Sequence, residues 1–279
     1  MASRFWVGGT GTWDASDTTH WAATSGGAGG QSVPGSADTV TFDGSSGGGT
    51  VTVNTTVNVV SIAMPTFTGH LNFSVNNNDV TVQTFGNSGT ATRTLSMGNG
   101  AWTITGTGNS AWNHTVVTGL TFNKNSANIT LSAGVSAART FQAGPLTYND
   151  LTIGAASNST LTTLGTGAYA FNNLIINAGS NVSIVGGATV TANALNIAGS
   201  SGTETLITSN APGTAATLSV ASGTQTFDWC ALRDLTFSGG ATFAATNSFD
   251  LRGNSGITIT PPAGGGSTGY PASRKQTGM

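Results

Sequence analysis

Four segments in the second half of the chain share one pattern: YNDLTIG (148–154), FNNLIINAG (171–179), TANALNIAG (191–199) and LRDLTFSGG (232–240). Each sets a small polar pair before a Leu, then a spacer, then Ile or Phe, then Gly. The leucines are Leu151, Leu174, Leu195 and Leu235, with gaps of 23 (151 to 174), 21 (174 to 195) and 40 (195 to 235) residues. The last gap is close to two of the shorter ones. A strand-like unit returning every ~20–25 residues predicts a β-solenoid, in which each coil stacks its Leu and Ile on the coil before it. NVSIVGGATV (181–190) and ATLSVASGTQTF (216–227) supply the other strands of each coil. GLTFNKN (119–125) is a further copy, out of step with the rest. A leucine-rich repeat would need a longer Leu set and a ladder Asn at fixed offset, which this chain lacks.

Upstream the strand signals persist without a clear period. DTVTFD (38–43), TVTVNTTVNVVSI (50–62), HLNFSV (70–75), DVTVQTF (79–85), AWTITG (101–106) and NITLS (128–132) alternate apolar residues with Thr, Asn or Ser between Gly or Asn turns. That alternation gives sheets with one buried face, and no window carries helical periodicity. The expected class is therefore all-β: a parallel β-helix with an N-terminal Trp-rich cap or anchoring unit over 1–45. Residues 46–145 read as further solenoid or a β-sandwich, 146–260 as solenoid, and 261–279 as a flexible Gly/Pro-rich tail.

Composition narrows the function classes. Charged residues make up 6% of the 279 positions and hydrophobic residues 37%, with a net charge of −2. A soluble domain averages ~25% charged residues, yet the apolar content here is enough for a core. Lys124 and Lys275 are the only lysines, and six arginines are scattered singly. Tracking a phosphate backbone takes clustered cations, so nucleic-acid binding is not expected. Cys230 stands alone among apolar neighbours, which excludes an intrachain disulfide and suggests a buried thiol. No stretch approaches the ~20 apolar residues of a membrane span. The opening MASRFWVGGTGTWD has no apolar run of signal-peptide length. A surface-type composition without an export signal fits a particle protein assembled in a host cytoplasm and exposed on a virion.

The most distinctive pattern is FWVGGTGTWD (5–14), HW (20–21) and SVPGSADTVTFD (32–43). Trp6, Trp13 and Trp21 either close an open solenoid end, where strand edges and core would otherwise be exposed, or form an interface that stacks on sugars. The cap is the stronger reading, because large aromatics dominate cores. This unit resembles the start of two kinds of β-solenoid protein. One is phage virion surface proteins of the capsid decoration, cement, fibre and spike type; the other is autotransporter-like adhesins. The resemblance implies a parallel β-helix, frequently a homotrimer in phages, bound to capsid or other virion proteins or to host-surface glycans. Neither a signal peptide nor a translocator barrel is expected from these residues, an expectation that favours the phage setting over a bacterial surface adhesin.

Chemistry is sparse. Phage spikes of this kind include polysaccharide-degrading tailspikes, and glycoside hydrolysis needs two carboxyls about 5–10 Å apart. Among ten acids the best pair is Asp228 and Asp234, flanking Trp229 with Arg233 nearby; Asp also caps turns readily. His20, His70 and His114 show no metal-ligand spacing, and Asn76–Asp79 offers only one charge for calcium. No Gly-x-Ser-x-Gly elbow or phosphate-binding Gly loop occurs. The expectation is a structural protein, not an enzyme, with no cofactor and no metal.

Overall fold

The computed structural model describes residues 1–132, 137–154 and 161–263. The fold is an all-β solenoid of stacked parallel strands, and one short helical turn, Gly44–Ser46, is the helix among the described residues. The chain forms two compact units. The first is Met1–Thr130 with Gln142–Asn149; the second is Leu131–Phe141 with the chain from Asp150 on.

In the first unit, Gly11–Trp13, Thr50–Val53, His70–Asn72, Arg93–Ser96 and Leu120–Asn123 stack as one parallel ladder. A second stack runs from Thr39–Thr41 through Val57–Ala63 to Val80–Gly86. The seven-residue strand Val80–Gly86 then serves two faces. Its first half pairs with Ala101–Ile104 and its last residues with Gly108–Asn113, so one strand turns a corner of the coil. Every one of these pairs is parallel, as solenoid coils require; a β-sandwich pairs its strands antiparallel. Register places Val40, Ile62, Phe85 and Trp112 in one inward column, all fully buried. Thr39, Ser61 and Thr84 form a column on the other side of the same strands.

In the second unit the leucine repeat becomes a spatial column. Leu151 pairs with Leu174 and Leu174 with Leu195, while Ile153, Ile176 and Ile197 stack beside them. All six are buried. A second ladder joins Leu161–Leu164, Asn181–Ile184, Thr205–Ser209, Cys230–Arg233 and Phe249–Asp250. A third uses the first halves of Ala168–Ile176 and Thr189–Ile197, then Ala216–Val220 and Leu235–Ser238, burying Tyr169, Val190, Leu218 and Phe237 in line.

The fourth copy of the repeat departs from the sequence reading. Leu235 pairs with Ala216 in the third ladder and does not continue the Leu195 column. LRDLTFSGG straddles a corner: Arg233 ends one strand, Asp234 takes φ 53, and Leu235 opens the next. The gap of 40 is a coincidence of unequal coils, since the third ladder advances 28 residues from Val190 to Leu218 and 19 from Leu218 to Phe237. The out-of-step GLTFNKN likewise belongs to the first unit, where Leu120–Asn123 lies on Arg93–Ser96. Of the expected tail 261–279, residues 264–279 lie outside the described residues.

Corners decide where each strand stops. Asn77, Asn125 and Asn247 take positive φ there, a conformation Asn tolerates better than most residues. At Gly239 (φ 96) a Cβ would stand 2.0 Å from the Val220 carbonyl oxygen, so only Gly lets the two coils close. Removing a column member should cost more than removing an outward hydroxyl. Leu174→Ala is expected to lower unfolding free energy by about 2–5 kcal/mol. Thr191→Ala should stay within about 0.5 kcal/mol of the parent. Urea denaturation followed by circular dichroism reads both, and equal losses would contradict the inward column.

Candidate functional site

Three places gather side chains of chemical interest: the N-terminal aromatic cluster, a polar group inside the first unit, and the corners around residues 228–234.

Trp6, Trp13 and Trp21 are 0%, 1% and 0% exposed. Trp21 sits between the other two, edge-on to Trp6 and to Trp13 at 5.1 Å in each case. Phe42 closes the cluster within 6.1–6.4 Å of all three and passes it on to Phe67 at 5.4 Å. Rings sealed in this way have no face to offer a sugar. Ser3–Trp6 binds Trp21–Ala22 antiparallel and Thr39–Thr41 parallel, so the hairpin-like excursion lies against the first coil.

His20 lies flat on Trp6, with ring centroids 4.6 Å apart, and its Nδ1 is 2.6 Å from Asp17 Oδ2. Gly11 makes this possible, because a Cβ there would meet the His20 ring at 2.6 Å and Trp6 at 2.9 Å. The aspartates of the segment tie off turns. Asp14 accepts from the Ser16 and Asp17 amides, Asp17 from the Thr19 amide and hydroxyl, and Asp38 from the Gly35 and Ala2 amides. Asp43 and Ser46 cap the short helical turn reciprocally. These donors hold three carboxyls below the ordinary range: the Ser16 amide chiefly for Asp14, the Thr19 hydroxyl for Asp17 and the Gly35 amide for Asp38.

The polar group inside the first unit gave no sequence signal. Arg93 is 1% exposed and carries no carboxylate partner there. It donates instead to Asn87 Oδ1 (2.6 Å) and to the carbonyls of Ala91, Thr118 and Val116 at 2.7–3.1 Å. Nearby, Tyr148 donates to the Ala143 carbonyl, while its hydroxyl meets Trp112 Nε1 at 3.3 Å and His114 Nδ1 at 3.1 Å. Burial, with the Arg93 charge adding, pulls His114 down to about 3, so the imidazole is neutral in the folded protein. Burial pushes the Tyr148 hydroxyl upward. These groups lie within the core, where His114 Nε2 and Asn87 Nδ2 are buried without a hydrogen-bond partner among the described residues. On the outer side of the first ladder, His70 Nε2 is 2.8 Å from Ser96 Oγ, which also accepts from Asn123 Nδ2 at 3.0 Å. Burial lowers His70. No carboxylate orients this His–Ser pair among the described hydrogen bonds, so it lacks the third member of a nucleophilic triad.

Asp228 and Asp234 stand at opposite ends of the strand Cys230–Arg233. Four strand residues span roughly 13 Å, beyond the separation a glycosidase pair uses. Asp228 is exposed and accepts from Thr246 Oγ1 (3.0 Å) and Asn247 Nδ2 (2.9 Å). Asp234 is 9% exposed, forms a corner, and sits 3.6 Å from Arg233 Nε. Cys230 is buried, and its thiol is pushed up to about 12 by burial, with the Asp228 charge adding. Among the described residues no three His, Cys, Asp or Glu side chains come together as a metal-binding group, and no helix is long and apolar enough to cross a membrane.

No family model, curated protein or solved structure matches the chain.

The lowered carboxylates make the N-terminal segment acid-sensitive. A group whose folded pKa lies below its unfolded value (near 3.8 for Asp) contributes stability above that value and loses it as pH falls through the folded one. Thermal unfolding followed by Trp fluorescence should therefore show Tm falling from about pH 5 to pH 2. Asp17→Asn should make that fall shallower while lowering Tm at neutral pH. An unchanged slope would show that Asp17 takes no part.

Proposed function

We propose that the chain is a non-enzymatic structural protein of a phage particle surface, which decorates or cements the capsid or forms a fibre or spike. The observation that carries the reading is the division of labour across each ladder. Inward columns are built of Val, Leu, Ile, Ala and aromatic residues, whereas the outward columns are mostly Thr, Ser and Asn, with some Ala, Ile175 and the charged Asp150. Such a stack gains its stiffness from main-chain hydrogen bonds and stays wet through hydroxyls and amides. Met1 and Val75 are the exposed large hydrophobics among the described residues, so the surface does not invite nonspecific association.

The resemblance of residues 5–43 to virion proteins supplies the phage setting. It also supplies the homotrimer and the partners: capsid or other virion proteins at one end, host surface at the other. The cap over Trp6, Trp13 and Trp21 suits a solenoid whose first coil must not recruit foreign strands. A polysaccharide-degrading tailspike is the contrasting role, and the wide separation of Asp228 and Asp234 argues against it.

Electron microscopy of intact particles carrying a tagged copy is expected to place the protein on the particle exterior, with threefold density. Absence from particles would overturn the reading. So would polysaccharide cleavage by the purified protein that is lost on Asp228→Asn or Asp234→Asn.

A further inference from the structure

Five of the six tryptophans are sealed inside the coils: Trp6, Trp13, Trp21, Trp102 and Trp112 are at most 1% exposed, each against other rings. Trp229 is the exception. It is only half-buried, it has no ring partner among the described residues, and its indole N–H has no protein acceptor there. Its backbone is also in the left-handed region, at φ 52. A bulky side chain is disfavoured in that region, and the other described non-Gly residues with positive φ are Asn77, Asn125, Asn247 and Asp234, with Arg252 the other long side chain. Nothing in the turn itself calls for an indole. A residue held against its backbone preference, with its side chain turned partly to solvent, is the kind of outlier that marks a binding position.

The surroundings fix that indole and put hydrogen-bonding groups beside it. The Trp229 amide donates to the Thr246 carbonyl (3.1 Å), and its own carbonyl accepts from the Thr205 amide (3.0 Å), so the corner is pinned from two other strands. Gly199 lies against the same carbonyl, where a Cβ would stand 2.1 Å from the oxygen. Asp228, next in the chain, is exposed. Its Oδ1 is held by Thr246 Oγ1 and Asn247 Nδ2, which orients the carboxylate and leaves Oδ2 without a protein partner among the described residues. An aromatic surface accepts the C–H face of a pyranose ring, and an oriented carboxylate and an indole N–H take its hydroxyls.

We propose that the corner formed by Asp228, Trp229, Thr246 and Asn247 is a contact site for a neutral polysaccharide, with Trp229 as the platform and Asp228 as the hydroxyl acceptor. The sugar is neutral because the charge at the corner is the Asp228 carboxylate, which repels uronic or sialic acids. The site goes beyond the structural role on a particle and does not depend on it. A protein located on virions that binds no sugar would keep that role and lose this site.

Trp229 is the one indole that an aqueous quencher such as acrylamide should reach in the folded full-length protein. Maltohexaose, cellohexaose and chitohexaose serve as probes, with quenching and titration calorimetry as readouts. At least one probe should shield the quenchable fluorescence. Trp229→Asn, which suits the positive φ, should keep or raise Tm, abolish the quenchable fraction and weaken binding at least tenfold. Asp228→Asn should weaken binding at unchanged Tm. The proposal is overturned if none of the three probes binds, if Trp229→Asn binds as the parent does, or if Trp229→Asn lowers Tm, since Trp229 would then be kept for packing.

Discussion

In a parallel ladder each residue lies directly over its register partner, and a slip of one position would turn every side chain of a strand to the wrong face. Everything else in this structure depends on that constraint. It makes the column, not the single residue, the unit of the core: Val40, Ile62, Phe85 and Trp112 in one unit, and Leu151, Leu174 and Leu195 in the other. It also explains the interior polar groups. Arg93 points inward within a stack and cannot reach water, so it is surrounded by carbonyls and Asn87. A buried donor or acceptor left without a partner costs about 1–3 kcal/mol, enough to require such a network.

Register does not demand equal coils, and this chain uses that freedom. Steps along the third ladder of the second unit are 21, 28 and 19 residues between Tyr169, Val190, Leu218 and Phe237. The extra residues go into corners, where Gly and Asn take the positive φ that a strand cannot. Function can be added at corners without disturbing the columns, because an outward corner side chain is not a member of an inward column. The loop placement of binding groups on a rigid frame follows the same logic.

Much of the frame was legible in the sequence. Leu-x-Ile at 151, 174 and 195 predicted a stacked column because those coils are nearly equal in length, so the pattern returns in register. The prediction failed at Leu235, where a periodic pattern continued across a corner into a different ladder. Upstream, the column positions hold Trp, Phe, Val and Ile interchangeably, so no repeat shows and solenoid could not be told from sandwich. Three tryptophans made an aromatic cluster readable, but the stacking of His20 on Trp6 and its pairing with Asp17 were not, since those contacts depend on the Gly11 close approach. In the sequence Trp229 is merely a neighbour of Cys230 and the two aspartates. Neither its φ nor its exposure has a sequence signature. Asp228 and Asp234 looked like a pair only because they are close along the chain; a strand holds them apart.

The central claim is the in-register parallel stack, and disulfide trapping tests it most directly. Thr191 and Ser219 are register partners on the outward side, whereas Thr217 pairs with Thr189 and so lies diagonal to Thr191. Neighbouring strands are about 4.8 Å apart, within reach of a disulfide, and diagonal positions are roughly 7–8 Å apart. Cys230 is buried with its thiol pushed up to about 12 and should not compete. Under mild oxidation Thr191→Cys/Ser219→Cys should cross-link rapidly and Thr191→Cys/Thr217→Cys hardly at all. Equal trapping of both pairs, or preference for the diagonal one, would contradict the register on which the columns, the corners and the proposed sites rest.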